Sequence, residues 1–76
     1  MKELVAHIAQ ALVDHPADVK TVQTDEDDNI SVELTVAADD LGKIIGKQGR
    51  TARAIRSILA AAAGKENKRS RLDILE

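Results

Sequence analysis

The stretch that decides the fold runs from residue 41 to residue 50 and reads LGKIIGKQGR. Within it, Gly46 and Gly49 stand three positions apart, after aliphatic residues and before an arginine. Glycine reaches positive φ angles without steric cost and lets the backbone approach another molecule closely. We therefore predict a tight loop between these glycines, with Lys47 and Gln48 projecting from its tip.

Helical patterns lie on both sides of this loop. Asp39 or Asp40 is a suitable N-cap for a short helix that ends near Ile45. A longer helix is predicted for residues 50–63, and Gly64 suits the position that follows a helix end. On a helical wheel, the side expected to be buried comprises Thr51, Ile55, Ile58, Leu59 and Ala62. The opposite side comprises Arg50, Arg53, Arg56 and Ser57.

The first forty residues predict a helix followed by a β-hairpin. An apolar stripe indicates a helix over residues 2–14, which Pro16 ends. This stripe comprises Leu4, Val5, Ile8, Ala11, Leu12 and Val13. Residues 19–24 read as a short strand and residues 25–29 as a polar turn. A second strand follows, because apolar residues alternate there with polar or small ones. These apolar positions are Ile30, Val32, Leu34 and Val36.

A final strand is predicted for residues 71–75, with Leu72 and Ile74 facing the core. The element order is then α-β-β-α-α-β, which predicts an α+β fold in a single domain over residues 1–76. If the second and third strands are neighbours, the two-helix crossover makes them parallel and the connection right-handed. The simplest arrangement is a three-stranded mixed sheet with the helices packed on one face.

Charge is distributed unevenly along the chain, although the formal net charge is only −2. Residues 1–40 contain two lysines against ten acidic residues, whereas residues 41–76 contain nine basic residues against three acidic ones. Between Lys43 and Arg56 there are five cations and no acidic residue. Such segregation favours an anionic partner that meets one face of the protein, but a solvated helix face balancing an acidic hairpin gives the same pattern.

The composition excludes several classes of protein. The chain contains no cysteine, which excludes disulfides, Cys-bound zinc and thiol catalysis. It contains no aromatic residue, so bases cannot stack on aromatic platforms. No apolar run is long enough to span a membrane, and the first residues lack a signal-peptide pattern, which predicts a cytoplasmic protein. His7 and His15 are too far apart for a metal pair on one helix. We predict no metal, no cofactor and no catalytic residue.

The predicted loop has the chemistry of a phosphate-binding site. The first N–H groups of the following helix lack intrahelical partners and carry partial positive charge, which attracts phosphate. Lys47 and Gln48 can donate hydrogen bonds to phosphate oxygens from the loop tip. Ile44 and Ile45 offer aliphatic surface on which a base could lie flat. The cations expected around the loop are Lys43, Arg50 and Arg53.

The sequence IIGKQGR at residues 44–50 resembles the signature of KH domains, in which a GXXG loop between two helices clamps single-stranded nucleic acid. The predicted element order matches that of type II KH domains over essentially the whole chain. The resemblance implies single-stranded RNA binding, with about four nucleotides held by the domain. It also implies that Ile45 belongs to a hydrophobic base-binding groove. The implied phosphate clamp comprises Gly46, Lys47, Gln48 and Gly49.

The resemblance extends to small bacterial proteins with one KH domain, and it implies partners and a cellular role. By this resemblance we expect a homodimer or a complex with a second KH-domain protein. It also implies an RNA chaperone or post-transcriptional regulator that affects cell shape and cell-wall formation. The expected dimer contact is a stripe of small residues and one isoleucine on the long helix, comprising Ala54, Ser57, Ile58 and Ala61.

Two other functions remain open at this point. If the helices around the loop formed a DNA-binding helix-turn-helix, Arg50, Arg53 and Arg56 could face a major groove. The short first helix and the preceding hairpin argue against this arrangement. Alternatively, the small-residue stripe could belong to a protein–protein interaction module that binds no nucleic acid. Alanine also has the highest helix propensity, so the stripe is equally typical of a plain helix.

Overall fold

The segment of alternating apolar residues forms the central strand of the sheet. In the computed structural model, which describes residues 1–76, this strand is β2 (Asn29–Thr35). It pairs antiparallel with β1 (Lys20–Glu26) and parallel with β3 (Arg69–Leu75), so the strand order is β1-β2-β3. The mixed three-stranded sheet and the element order α-β-β-α-α-β confirm the predicted α+β fold.

Three helices pack on one face of this sheet. α1 (Lys2–Leu12) lies over β1 and β2, and α3 (Arg50–Gly64) packs against β3. The short helix α2 (Leu41–Ile45) contacts both of the longer helices. The crossover from β2 through α2 and α3 returns the chain to a strand parallel to β2, as predicted. None of the helices has the length and apolar content that a membrane crossing requires.

The hydrophobic core lies between the helices and the inner face of the sheet. Ile30, Val32 and Leu34 of β2 point towards the helices and are almost fully buried, whereas the residues between them are more exposed. Full burial of each such aliphatic side chain contributes about 1.5–3 kcal/mol. The other buried apolar residues are Val5, Ala9, Val36, Ile44, Ala52, Ile55, Leu59, Ala63 and Leu72.

The buried side of α3 differs from the predicted one. Ile58, which the helical wheel assigns to the core, is 46% exposed. Two alanines that the wheel left out are buried, because small side chains let the helix axis approach the sheet more closely than Ile58 would. The buried residues of α3 are Ala52, Ile55, Leu59 and Ala63, whereas Thr51 and Ala62 are half-buried.

The hairpin turn is shorter than predicted. Only Asp27 and Asp28 lie between the paired strands, and Asp27 has a φ of 52°. Aspartate tolerates this left-handed conformation, so strand pairing continues up to a two-residue turn. The first helix is also shorter than predicted, since it ends at Leu12, which is exposed together with Ala11.

The connection from α3 to β3 differs in the same way. Gly64 is the last residue of α3 rather than the residue after it, and the positive φ of the connection (59°) is at Asn67. β3 starts earlier than predicted, because the Arg69 N–H donates to the Asp28 carbonyl at 2.8 Å. Leu72 faces the core as predicted, whereas Ile74 is only half-buried.

Candidate nucleic-acid interface

The residues between α2 and α3 form one tight turn. Gly46 has φ 75° and ψ 170°, Gln48 has φ 60° and ψ 25°, and Gly49 has φ 73° and ψ 13°. The Gly49 N–H donates to the Gly46 carbonyl at 3.1 Å and closes the turn. The positive φ angles bend the chain sharply, so the predicted loop is present between the two helices.

The two glycines of the loop are required for different reasons. A Cβ atom at Gly46 would lie 2.2 Å from the Thr51 Oγ1 and 2.9 Å from the Thr51 backbone nitrogen, so no side chain fits there. A Cβ atom at Gly49 would meet nothing within 4 Å, and only the left-handed φ favours glycine at that position. The space in front of Gly49 is therefore open to a ligand.

The longest helix of the protein, α3, begins directly at this loop. Its N-cap is Gly49, and no side chain caps it. The first N–H groups of an α-helix carry partial positive charge, and the 15 residues of α3 align their dipoles towards the loop. Lys47 and Gln48 are exposed beside this helix end, as predicted. The loop can therefore receive an anion such as phosphate from solvent.

The cations predicted around the loop have different surroundings. Lys43 is ion-paired with Asp14, and the hydrogen bond to Asp14 raises the pKa of Lys43 above its ordinary value. Arg53 reaches back to the loop, where its Nη2 donates to the Gln48 carbonyl at 3.4 Å. Arg50 is exposed at the start of α3. Arg53 thus supports the loop, and Lys43 is the predicted cation that an acidic neighbour already neutralises.

The two isoleucines before the loop point to different sides. Ile44 is fully buried in the core and offers no surface for a base, contrary to the prediction. Ile45 is 37% exposed and lies next to Gly46. The reason is the helical geometry of α2, which turns by about 100° per residue and so cannot expose both neighbours equally.

A buried carboxylate ties α2 to the end of α1. Asp40 is 1% exposed and makes no capping bond to α2, contrary to the prediction. Its Oδ1 accepts a hydrogen bond from the Asp14 N–H at 3.2 Å, and its Oδ2 accepts one from the His15 N–H at 3.0 Å. The His15 Nδ1 lies 3.0 Å from the same Oδ2. These bonds satisfy the backbone N–H groups of Asp14 and His15, just beyond the end of α1. They hold the residue before α2, and so the start of the segment that leads to the loop, against the end of α1.

The bond between Asp40 and His15 makes the stability of the fold depend on pH. Burial acts to raise the pKa of Asp40, but the hydrogen bonds from Asp14 and His15 outweigh it and hold this pKa below 3.8. The hydrogen bond with Asp40 raises the pKa of His15 above 6.5. The stabilisation from charged His15 is therefore complete below pH 6.5 and is lost as the pH rises through the raised pKa. That from charged Asp40 is complete above pH 3.8 and is lost as the pH falls through the lowered pKa.

We expect the free energy of unfolding in urea to decline as the pH rises above 6.5, the ordinary pKa of histidine. A His15→Gln variant should lack this decline, because glutamine cannot lose a proton in that range. The measurement is a series of urea titrations of both proteins between acidic and mildly alkaline pH. A decline of the same size in the variant would show that His15 is not its source.

A groove lies beside α3 on the same flank as the loop. It has a volume of about 360 Å³ and is formed by one side of α3 and the outer edge of β3. Its lining comprises Arg56, Leu59 and Ala60 of α3 and residues 70–73 of β3. The helical spacing of Gly49, Arg53, Arg56 and Ala60 places them on this one flank. We did not predict the groove from the sequence, because it exists only where α3 packs against the edge of the sheet.

The edge of β3 offers main-chain groups to this groove. The Arg69 N–H donates to a carbonyl next to β2, and the Leu75 carbonyl accepts from an N–H next to β2. The main-chain N–H and carbonyl groups of the odd-numbered residues of β3 therefore point towards β2. The N–H and carbonyl groups of Ser70 and Leu72 therefore face outwards, as in any edge strand. The Arg71 Nε lies 3.5 Å from Asp73 Oδ1 on the same edge.

Comparison with known proteins identifies the family. A family model described as "KhpA/KhpB, KH domain" matches residues 2–74. The chain belongs to this KH-domain family. It is 57% identical over 76 residues to a protein named RNA-binding protein KhpA from Halalkalibacterium halodurans, with all of both chains covered. A protein of the same name from Clostridium perfringens is 51% identical over 75 residues, which cover 99% of this chain and all of the relative. A third protein of this name, from Bacillus subtilis, is 41% identical over 76 residues, which cover all of this chain and 94% of the relative.

The family match confirms the resemblance seen in residues 44–50. The geometry of the domain, in addition, does not favour a DNA-binding helix-turn-helix. Its α2 has five residues, little more than one helical turn. A helix-turn-helix needs a first helix that crosses the DNA backbone and supports a recognition helix. The glycine-rich turn with three positive φ angles instead presents backbone at the junction of the two helices.

The KH domain exposes the predicted dimer stripe on the other flank of α3. All four residues of the stripe are exposed, and Ile58 is its largest apolar side chain. The groove and the stripe lie on different flanks, so a partner on the stripe leaves the groove open. The residues of the stripe are Ala54, Ser57, Ile58 and Ala61.

Proposed function

We propose that this KH domain, over residues 1–76, binds single-stranded RNA and acts by binding rather than catalysis. The observation that carries the proposal is the uncapped start of α3 at an exposed loop with positive φ angles at Gly46, Gln48 and Gly49. The names of the relatives, RNA-binding protein KhpA, support RNA as the nucleic acid.

Phosphates of the RNA bind at the loop in this proposal. Lys47 supplies an ammonium group and Gln48 a side-chain amide, both of which donate to phosphate oxygens. The partial positive charge at the start of α3 adds to the attraction, as does the exposed guanidinium of Arg50. Lys43 contributes less, because Asp14 neutralises it in the free protein. Arg53 keeps the loop in shape through the Gln48 carbonyl.

Bases of the RNA run from the loop along α3 towards the groove. Ile45 gives the first base an aliphatic surface next to the loop. From residue 50 to residue 56, α3 rises by about 9 Å, a span that the roughly four nucleotides held by a KH domain can cover. In the groove, the outward N–H and carbonyl of Leu72 can pair with a base edge, and Arg56 can neutralise a phosphate.

The salt dependence of binding tests this proposal. If about three phosphates are neutralised, the logarithm of the association constant for a short single-stranded RNA should fall with the logarithm of salt concentration at a slope near −2. Fluorescence anisotropy at several salt concentrations measures this slope. Affinity that does not change with salt would exclude the phosphate clamp.

Matched nucleic acids separate RNA binding from the alternatives. The same titration with a DNA duplex of equal length should give much weaker binding, because the loop approaches one backbone rather than a groove. Tight binding to the duplex without binding to the single-stranded RNA would support a DNA-binding protein. Binding to neither would support the interaction module.

We also propose a partner and a cellular role, which rest on family resemblance. The partner is a second KH-domain chain, either another copy or a KhpB-type protein, held at the exposed stripe on α3. A second linked RNA site would raise the affinity of a domain that alone binds a few nucleotides. The role is that of a cytoplasmic RNA chaperone or post-transcriptional regulator with effects on cell shape and cell-wall formation. Crosslinking in cells followed by sequencing of the attached RNA would identify the targets.

A further inference from the structure

We propose that the outer edge of β1 pairs antiparallel with β1 of a second copy of this chain, with Gln23 on the two-fold axis. This contact is separate from the groove and from the stripe on α3, and it does not depend on RNA binding. It would join two three-stranded sheets into one continuous sheet of six strands.

β1 has an open outer edge. β1 is the first strand in the order β1-β2-β3, so its outer N–H and carbonyl groups have no strand partner. An edge strand is usually protected by shortness, a proline, a bulge or charged side chains. β1 pairs with β2 over seven consecutive residues without a proline or a bulge, and its charged residues, Lys20, Asp25 and Glu26, lie only towards its two ends. Val22, near its middle, is 56% exposed.

The sequence of β1 is complementary to itself in one antiparallel register. When Gln23 faces Gln23 of the second copy, Lys20 faces Glu26 at both ends of the strand pair. Val22 then faces Thr24, a β-branched pair that suits neighbouring strands. Because the two ends are related by symmetry, the register forms two ion pairs from one sequence.

The alternation of exposed and half-buried side chains along β1 is compatible with the same register. Lys20, Val22, Thr24 and Glu26 are all exposed, whereas Thr21 and Gln23 are half-buried towards α1. The register therefore pairs the residues of the outer sheet face with one another, places Thr21 opposite Asp25 on the other face, and keeps the helices of both copies on one face of the joined sheet. A shift that centres the axis on Val22 would place Lys20 opposite Thr24 and leave Glu26 beyond the end of the partner strand, so both ion pairs would be lost.

The acidic hairpin turn selects the antiparallel direction. Residues 25–28 are all acidic, so a parallel pairing of two β1 strands would bring two acidic turns together. The antiparallel pairing places them at opposite ends, where each Glu26 lies beside a Lys20. The charges thus disfavour the main competing arrangement.

The contact leaves the candidate RNA interface open and is weak in dilute solution. The groove lies at the β3 edge, on the far side of the sheet from β1. A seven-residue strand pair is smaller than the roughly 20 residues on each side of a standard stable interface. It should form when copies are present at about millimolar effective concentration.

Single-cysteine variants test the register, since the chain has no cysteine of its own. Directly paired residues of antiparallel strands lie within disulfide distance, whereas diagonal neighbours do not. We expect an oxidised equimolar mixture of Val22→Cys and Thr24→Cys, at about millimolar concentration, to give mainly the mixed disulfide dimer. Either variant alone should give little dimer. Random pairing of the two variants, or no dimer, would overturn the proposal.

Charge exchange tests the ion pairs and distinguishes this edge from the stripe on α3. In the cysteine pair, Lys20→Glu or Glu26→Lys should lower the yield of mixed dimer several-fold, and the two together should restore it. The yield should persist when Ile58→Asp disrupts the stripe. Failure of the double exchange to restore dimer in a folded protein, or loss of dimer with Ile58→Asp, would overturn the contact at β1. Circular dichroism confirms folding of each variant.

Discussion

Replacing Lys47 and Gln48 with aspartate is expected to abolish RNA binding and to leave the fold intact. The change removes two donors to phosphate and adds two negative charges at the tip of the loop. Hydrogen bonds to charged groups contribute about 1.5–3 kcal/mol each, so the loss of two lowers the affinity by about 100-fold or more. Both side chains are exposed and make no packing contribution to the core.

The matched control places the same substitutions on α1. Lys2→Asp with Gln10→Asp changes the charge by the same amount at two exposed positions. This control should bind RNA within a few-fold of the wild-type protein, as measured by fluorescence anisotropy at one salt concentration. Thermal unfolding followed by circular dichroism compares the folds. Binding retained by the folded loop variant, or lost equally in the control, would remove the loop from the binding site.

Ile44→Ala and Ile45→Ala should affect different properties although the two residues are neighbours: the first should lower stability and the second RNA affinity. Ile44 is fully buried, so its truncation leaves a cavity and lowers the free energy of unfolding by about 3 kcal/mol. A chain of this length has a total stability of roughly 4–11 kcal/mol, so the substitution removes about a quarter to three quarters of it. Urea unfolding at constant pH measures the change.

Ile45→Ala is expected to keep the fold and to weaken RNA binding. Ile45 is 37% exposed, so its truncation lowers the free energy of unfolding by less than about 1 kcal/mol. Loss of the aliphatic surface next to the loop should reduce RNA affinity by roughly fivefold to tenfold. Equal destabilisation by both substitutions would contradict the orientation of α2, and unchanged affinity would remove Ile45 from the base-binding surface.

The element order and the loop could be predicted because they depend on local patterns. The alternation from Ile30 to Val36 predicts one strand with one buried face, and that strand is the centre of the sheet. The two glycines predict a tight turn, and the turn has the positive φ angles that glycine allows. These signals need no knowledge of how the elements pack.

Features that depend on packing could not be predicted. A helical wheel describes a helix but not its rotation against the sheet, so it placed Ile58 in the core and left out Ala52. Aspartate is a favoured residue type at N-caps, yet the Asp40 carboxylate accepts hydrogen bonds from the backbone N–H groups of Asp14 and His15, which lie 26 and 25 residues earlier in the chain. The groove needs both α3 and β3, which the sequence separates.

The close approach of Thr51 to Gly46 has an evolutionary consequence. The Cβ of an asparagine at residue 49 would meet no atom within 4 Å, and asparagine visits this backbone conformation readily, so the turn tolerates it, but its side chain would occupy the space that the RNA backbone is proposed to approach. Residue 46 combines positive φ with fully extended ψ, a region reserved for glycine, and a neighbour already fills the room for a side chain. Of the two glycines in this motif, the first is therefore held constant by the turn itself, whereas the second is held constant only by the ligand that approaches it.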